Sequence, residues 1–157
     1  MRKKMILIFL VVVVISGILV ASYLSMGGEP SDLKTANFLI GEKKLEVEIA
    51  DSASARATGL SYRKSLDDDK GVYFIFDSLG SHSFWMKDMN FPIDIIWIKD
   101  DKIVGVAENV PHQPGAQLWQ LKSYAPPEPI NRVLEVNAGW FSKNGIKIGD
   151  RAELTES

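Results

Sequence analysis

Residues 93–110 read IDIIWIKDDKIVGVAENV, in which two runs rich in isoleucine and valine flank a pair of aspartates. Because β-branched residues favour strands and Asp100 and Asp101 favour turns, the stretch predicts a β-hairpin. In its first arm Ile93, Ile95 and Trp97 share one face, and Asp94, Ile96 and Ile98 share the other. Both faces are apolar except at Asp94, so that carboxylate must be paired or hydrogen-bonded.

Short strands dominate the sequence on both sides of this hairpin. ANFLI and KLEVEI flank residues 41–43 as a second hairpin, and GVYFIFD, HSFWMKDM and RVLEVN predict further strands. Ser52 or Ser54 can cap a helical turn that Gly59 ends. A second short helix, capped by Asn137, is expected to stop near Gly145, followed by a tight turn at residues 149–150 and a closing strand.

This order predicts an α+β domain with a mostly antiparallel β-sheet and two short helices. Closure of the sheet into a barrel is one form that such an arrangement can take. The sequence shows no βαβ repeat.

The N-terminus reads as a membrane segment. Arg2, Lys3 and Lys4 precede residues 5–24, which carry no charge. At about 1.5 Å per residue, such a run crosses a hydrocarbon layer of about 30 Å. We predict a single-pass transmembrane anchor at residues 1–24, a flexible tether at 25–35 and a globular domain at 36–157. The alternative is a secretory signal cleaved near Val20-Ala-Ser22.

Both alternatives place the globular domain outside the cytoplasm, because the cations stay inside. Removing three of the 18 basic residues leaves 15 against 20 acidic ones, which is a formal charge of −5. An acidic domain without a basic stripe argues against nucleic acid as a partner. The expected partners are the bilayer, through residues 5–24, and a glycan, peptide or envelope protein.

No cofactor or metal site is predicted. The chain has no cysteine and only two histidines, His82 and His112, and its acidic run at residues 66–71 lacks the ligand spacing of a calcium loop. Nucleophile-elbow and phosphate-loop motifs are absent. The sequence therefore does not decide whether the chain is an enzyme.

Five stretches, ATGLSYRKSL, GVYFIF, FWMKDMNFPIDIIWI, RVLEVNAGW and IKIGDRAEL, give a pattern over residues 36–154 that resembles the bacterial and archaeal family DUF192. That family has no established activity, and its members are often exported or tethered by one N-terminal helix. The resemblance implies signature positions at Gly59, Leu60, Arg63, Trp85, Met86, Lys87, Pro92, Asp94, Glu135, Asn137, Gly139, Gly149 and Asp150. The chain departs from the pattern at Asp88, where the family usually has asparagine.

Several polar residues are candidates for a site. Lys87 is the nearest expected partner of Asp94 if their strands pair, and this pair reads as a structural ion pair, a backbone-bound carboxylate or a ligand site. Arg63 is expected either to clamp a loop such as residues 67–68 or to bind an anionic ligand group. Glu135 is expected to face solvent, with a position held by the following helix as the alternative.

The loop at residues 111–129 contains five prolines and two aromatic residues, Trp119 and Tyr124. Exposed rings beside a few polar groups are typical of sites for sugars and peptides. We therefore expect a module that binds a small molecule, glycan, peptide or envelope partner, with ligand contacts that include Arg63, Lys87, Asp94, Trp119, Tyr124 and Glu135. The alternatives are a hydrolase of envelope polysaccharide, with Asp94 and Glu135 as acid and base, and a purely structural envelope adaptor.

Overall fold

The structure is a computed structural model that describes residues 33–155. Its strands are β1 Thr35–Ile40, β2 Lys43–Ala50, β3 Lys70–Gly80, β4 Phe84–Trp85, β5 Ile93–Lys99, β6 Lys102–Val110, β7 Ser123–Tyr124, β8 Ile130–Asn137 and β9 Ala152–Thr155. Its helices are α1 Ala53–Thr58, α2 Trp140–Lys143 and a 3-10 turn at Leu118–Gln120.

Seven strands form one sheet in the order β6-β5-β8-β3-β2-β1-β9, and β4 pairs with β7 in a small second sheet. Every neighbouring pair is antiparallel except β2 and β3, which are parallel and joined through α1. The predicted α+β class with a mostly antiparallel sheet is confirmed. The parallel pair is a single βαβ connection and does not repeat among the described residues.

The sheet is curled, and its two edges meet at one end. The amide of Ile103 donates to the carbonyl of Asp150 at 3.0 Å, and the amide of Ala152 donates to the carbonyl of Asp101 at 2.9 Å. A single bridge between Lys102 and Arg151 completes this junction. These bonds satisfy part of the backbone at two edges that would otherwise be free to pair with another chain.

Strand alternation divides the core into two clusters on the two faces of the sheet. The α2 face buries side chains from all large strands and from α2, among them Phe38, Val47, Tyr73, Leu134, Val136 and Phe141. The opposite face, the α1 face, is covered by α1 and by the connections that follow it, and buries Leu60, Phe74, Met86, Met89, Ile95 and Val133. Each large apolar side chain buried in this way contributes about 1.5–3 kcal/mol relative to exposure.

The predicted turns and the first helix cap are confirmed. Gly41 and Asp100 sit in the two hairpin turns with positive φ, at 56° and 53°. The Oγ of Ser52 accepts a hydrogen bond from the amide of Ala55 at 3.2 Å, which caps α1. The amide of Gly59 donates to the carbonyl of Ala55 at 2.9 Å and ends the helix.

Two local predictions are wrong. In the HSFWMKDM stretch only Phe84–Trp85 is a strand, because Asp88 has a left-handed backbone (φ 55°) and the chain turns there to bury both Met86 and Met89. Asn137 does not cap α2, since the N-cap residue is Gly139. The Asn137 amide instead donates to the carbonyls of Leu66 (2.9 Å) and Asp67 (3.3 Å) and fastens that loop to β8.

The predicted anchor at residues 1–24 and most of the tether lie outside the described residues. Among the described residues the first strand, β1, begins at Thr35. In the part of the chain that the structure describes, no helix combines the length and the hydropathy that a membrane crossing requires.

Candidate functional site

Glu135 lies in the middle of β8, and the prediction that it faces solvent is wrong. The residue is 5% exposed. Strand β8 is flanked by β3 and β5, and both of its faces are covered by core clusters. Alternation correctly turns Glu135 away from Leu134 and Val136, but the face to which it turns is also buried.

No donor among residues 33–155 forms a hydrogen bond with the Glu135 carboxyl group. Burial raises the pKa of Glu135 from 4.5 to about 8, and the nearby charge of Arg63 opposes only part of this rise. The carboxyl group is therefore mainly protonated at neutral pH and can act as a hydrogen-bond donor.

A pocket of about 430 Å³ opens above Glu135 on the α1 face of the sheet. Its walls combine three kinds of side chain. The apolar ones are Leu60, Phe74, Phe76, Phe84, Trp85 and Met89. The hydroxyl-bearing ones are Thr58, Ser61, Ser81 and Ser83, and the titratable or charged ones are Arg56, His82 and Glu135. We call this the Glu135 pocket.

Gly59 keeps the Glu135 pocket open beside the carboxyl group. A Cβ atom at this position would lie 3.0 Å from Cζ of Phe74 and 3.5 Å from Oε2 of Glu135. The backbone φ of +47° is also one that residues with a side chain rarely adopt. A glycine at the end of α1 thus ends the helix and leaves room next to Glu135.

One wall of the pocket is held by aromatic and cationic stacking on Phe76. The His82 ring stacks on the Phe76 ring with centroids 3.7 Å apart and planes inclined by 8°. The Arg56 guanidinium lies 5.2 Å from the Phe76 centroid and donates to the carbonyl of Ile75 at 2.8 Å. These contacts give this wall a fixed position and a positive charge.

Arg63 forms a two-pronged ion pair with Glu48 of β2, at 2.5 Å and 2.8 Å. Arg63 therefore holds a residue of strand β2, whereas the sequence predicts a loop such as residues 67–68, or an anionic ligand group, as its partner. Strand pairing places Glu48, Val72 and Glu135 in one row across the sheet. The Cα atoms of the two glutamates are therefore about 10 Å apart, or two strand spacings.

Hydrogen bonds between Tyr62 and Asp88 join the segment after α1 to the segment after β4. The Tyr62 amide donates to the Asp88 carbonyl at 2.8 Å, and the Tyr62 hydroxyl donates to the Asp88 carboxylate at 2.6 Å. Both residues have left-handed φ, 66° and 55°. Asparagine and aspartate both tolerate this conformation, so the departure from the family pattern at residue 88 keeps the turn.

The predicted pairing of Lys87 with Asp94 is wrong. Strand β5 pairs with β6 and β8, and Lys87 lies in a turn outside any strand. Its ammonium group instead forms an ion pair with Asp88, which lowers the pKa of that carboxyl group.

Asp94 is fully buried and its carboxylate accepts three backbone hydrogen bonds. The donors are the amides of Asn109 (2.7 Å), Gly139 (2.9 Å) and Phe141 (2.9 Å). The last two lie at the N-terminus of α2, where amides have no partner within the helix. Of the alternatives that the sequence leaves open for Asp94, the backbone-bound carboxylate is thus the one observed.

Trp119 and Tyr124 do not line the Glu135 pocket. Trp119 is 81% exposed in the 3-10 turn of the long loop. Tyr124 pairs with Phe84 across the small sheet, and the Lys122 ammonium lies 4.8 Å from its ring centroid. Of the six predicted ligand contacts, only Glu135 is part of the pocket wall.

Sequence reasoning missed several residues of the site. Glu48 alternates with apolar residues, so the sequence pattern predicts that it faces solvent. Its partial burial depends on the ion pair with Arg63, which follows it by fifteen residues. Arg56 and His82 carry no motif. The sequence predicts Gly59 as a helix end, but the proximity of Gly59 to Glu135 depends on tertiary contacts. No group of three or more histidine, aspartate or glutamate side chains within residues 33–155 could hold a metal ion.

Comparison with known proteins shows relatives without an established activity. A search of curated proteins found no match. The crystal structure of a "putative transcription regulator" from Sinorhizobium meliloti 1021 is 32% identical, with a TM-score of 0.71 over 81% of this chain and 98% of that chain. A protein of unknown function from Novosphingobium aromaticivorans DSM 12444 is 26% identical, with a TM-score of 0.71 over 80% of this chain and 89% of that chain.

The family profile covers the same region. The profile of DUF192, described as "Uncharacterized ACR", matches residues 36–154, which is nearly the whole of the described domain and agrees with the resemblance seen in the sequence. The chain therefore belongs to the DUF192 family.

Proposed function

We propose that this protein is a binding module that takes a small molecule into the Glu135 pocket. The observation that carries the proposal is a buried carboxyl group without a hydrogen-bond partner among the described residues, facing a pocket of about 430 Å³. Pockets that bind small molecules measure about 300–1,000 Å³ and combine apolar walls with a few polar groups.

The energetics of Glu135 favour a ligand. A fully buried polar group without a partner costs about 1–3 kcal/mol, and Glu135, which is 5% exposed and lines the pocket, bears part of this cost. A ligand atom that hydrogen-bonds to Glu135 recovers this cost on binding, whereas a purely structural glutamate would be expected to have a partner in the protein. The stacked wall around Phe76 and the hydrogen bonds between Tyr62 and Asp88 make the pocket preformed, which reduces the entropy lost on binding.

We also propose that the module works outside the cytoplasm, held at the membrane by residues 5–24. The support is the uncharged run behind Arg2, Lys3 and Lys4 and the acidic character of the rest of the chain. This acidic character also argues against carrying the regulator description of the Sinorhizobium relative over to this chain.

The hydrolase alternative, with Asp94 and Glu135 as acid and base, finds no support in the geometry. Asp94 pairs with Val136 across β5 and β8, so Asp94 and Glu135 point to opposite faces of the sheet. The Asp94 oxygens are also occupied by three amides. Two carboxyl groups on opposite sides of a sheet cannot flank one glycosidic bond.

Native mass spectrometry of the full-length protein, released from membranes in detergent, tests the proposal. We expect wild-type protein and the Trp119→Ala variant, whose changed side chain is exposed outside the pocket, to carry the same small molecule. We expect Glu135→Ala to lose it. Equal retention by Glu135→Ala, or loss from Trp119→Ala alone, would contradict the proposal.

A further inference from the structure

The charges around the Glu135 pocket limit the kind of ligand that it accepts. Arg56 is the one permanent cation among the residues that line the described pocket, and Glu135 is the one acid. The neighbouring Arg63 is already paired with Glu48. With Glu135 protonated, the pocket carries a positive charge on one wall and an uncharged donor at its floor.

The walls are amphipathic in a way that matches a particular ligand shape. Phe74 and Phe84 meet edge to face at 4.9 Å, and Trp85 at the mouth is half exposed. The hydroxyl groups of Ser81 and Ser83 also line the pocket and have no hydrogen-bond partner among the described residues. Flat apolar surfaces beside free hydroxyl groups suit a ring that presents C–H groups on its faces and oxygens at its edge.

We propose that the ligand is an uncharged, oxygen-rich ring of the sugar class, with one ring substituent accepting a hydrogen bond from Glu135 at the pocket floor. This inference rests on the proposed function, since it names the class of ligand for the same pocket. The bound oxygen supplies the partner that the carboxyl group lacks in the protein, and the ring faces pack against the aromatic wall.

Charged ligands fit less well. A cation at the floor would require Glu135 to ionise and would also meet the positive charges of Arg56 and Arg63. An anion at the floor would gain from the Arg56 charge on the wall, but it would exchange most of its hydration for a hydrogen bond from one uncharged carboxyl group. A neutral acceptor avoids both costs.

Three sugars of one ring size distinguish a neutral from a cationic and an anionic ligand. Their binding to full-length protein in lipid nanodiscs at pH 6.5 is followed by saturation-transfer NMR. N-acetylglucosamine is neutral, glucosamine is cationic and glucuronate is anionic. We expect N-acetylglucosamine to bind at least about tenfold more tightly than the other two, the difference expected for one well-made hydrogen bond. Glu135→Ala should weaken its binding by about tenfold or more, and Trp119→Ala should leave it unchanged.

Glu135→Gln distinguishes a donor from a merely structural residue. Its amide also donates a hydrogen bond, so it should restore N-acetylglucosamine binding at pH 6.5. At pH 9.5 the wild type should bind several-fold more weakly, because the carboxyl group ionises, while the glutamine variant should not change. The other charged or titratable groups near this position, Arg56, Arg63, Glu48 and His82, are the same in both proteins.

The outcomes separate the inference from the proposed function. Preference for glucosamine or glucuronate would overturn the inference that the ligand is uncharged, and no binding of any of the three sugars would overturn the sugar class. In either case, a natural small molecule lost from Glu135→Ala in native mass spectrometry would leave the binding function standing. If Glu135→Ala changes neither the retention of the natural ligand nor the binding of the sugars, both proposals fail.

Discussion

Asp94 and Glu135 lie one residue apart in register on neighbouring strands, yet they face opposite sides of the sheet. Both are buried, at 0% and 5% exposure. Asp94 accepts three amide hydrogen bonds and fixes the start of α2. Glu135 has no hydrogen-bond partner among the described residues and lines a pocket.

The difference shows that burial alone does not identify a functional carboxyl group. A buried charge that is fully hydrogen-bonded has its desolvation cost offset within the fold, so it needs no ligand. A buried acid without hydrogen-bond partners in the protein keeps its proton, and its unfavourable desolvation free energy is offset only when another molecule forms a hydrogen bond with it. The partners of each group, more than its depth, therefore separate a structural residue from a candidate site.

The largest expected effect is on the pH dependence of stability through Glu135. Its folded pKa of about 8 lies above its ordinary value of 4.5, so the stability it provides is complete below pH 4.5 and is lost as the pH rises through 8. We expect Glu135→Gln to be about 3 to 5 kcal/mol more stable than wild type at pH 9 and similar to it at pH 4.5. Urea unfolding of the full-length protein at both pH values measures this difference. An equal difference in the free energy of unfolding between variant and wild type at the two pH values would show that the Glu135 pKa is not raised.

Asp94→Asn tests how much the three amide hydrogen bonds to the buried Asp94 carboxylate stabilise the fold. The substitution places an amide NH₂ against backbone N–H groups that now donate to a carboxylate, and we expect a loss of about 3 kcal/mol in the free energy of unfolding. Asp77→Asn is the matched control, because Asp77 is exposed on β3. A loss below about 1 kcal/mol would mean that the three amide bonds do little to stabilise the fold.

Gly59→Ala should both destabilise the protein and narrow the pocket beside Glu135. Gly115 provides a control with a positive φ of 74° and no atom within 4 Å of an added Cβ. We expect the free energy of unfolding to fall by about 2 kcal/mol in Gly59→Ala and by about 1 kcal/mol in Gly115→Ala, because only the first substitution adds a close contact with Phe74. Thermal or urea unfolding measures both losses. Equal losses would show that the contact at the pocket floor is unimportant.

Arg63→Met should give a smaller loss of stability, about 1 kcal/mol, since its ion pair with Glu48 is partly exposed. The substitution also acts on Glu135 in a more specific way. The charge of Arg63 opposes the rise in the Glu135 pKa that burial causes, so its removal should raise that pKa further. Carbon-13 NMR of the glutamate side chains measures this shift. A downward shift would mean that Arg63 does not act on Glu135 through its charge.

The smallest expected effect is that of Trp119→Ala. The ring is 81% exposed and lies outside the pocket, so the variant should unfold within about 0.5 kcal/mol of wild type. A larger loss would show that the long loop stabilises the domain through this ring.

Much of the fold follows from local patterns, while the site depends on distant contacts. Alternation within residues 93–98 and the turn pair at 100–101 correctly predict β5 and its hairpin. Alternation also gives the correct side of β8 for Glu135, but it cannot tell that connections far along the chain cover that side. The same limit explains why the sequence leaves the partner of Asp94 open: its partners are main-chain amides, which every residue type except proline can supply.

Titration of Glu135 in the full-length protein tests most directly whether its carboxyl group is protonated at neutral pH. The δ-carbon is followed by carbon-13 NMR and assigned through the Glu135→Gln variant. We expect a midpoint near pH 8, well above the usual 4.5 for glutamate. A midpoint near 4.5 would show that the carboxyl group is ionised and satisfied at neutral pH, and would contradict the pocket as the functional site.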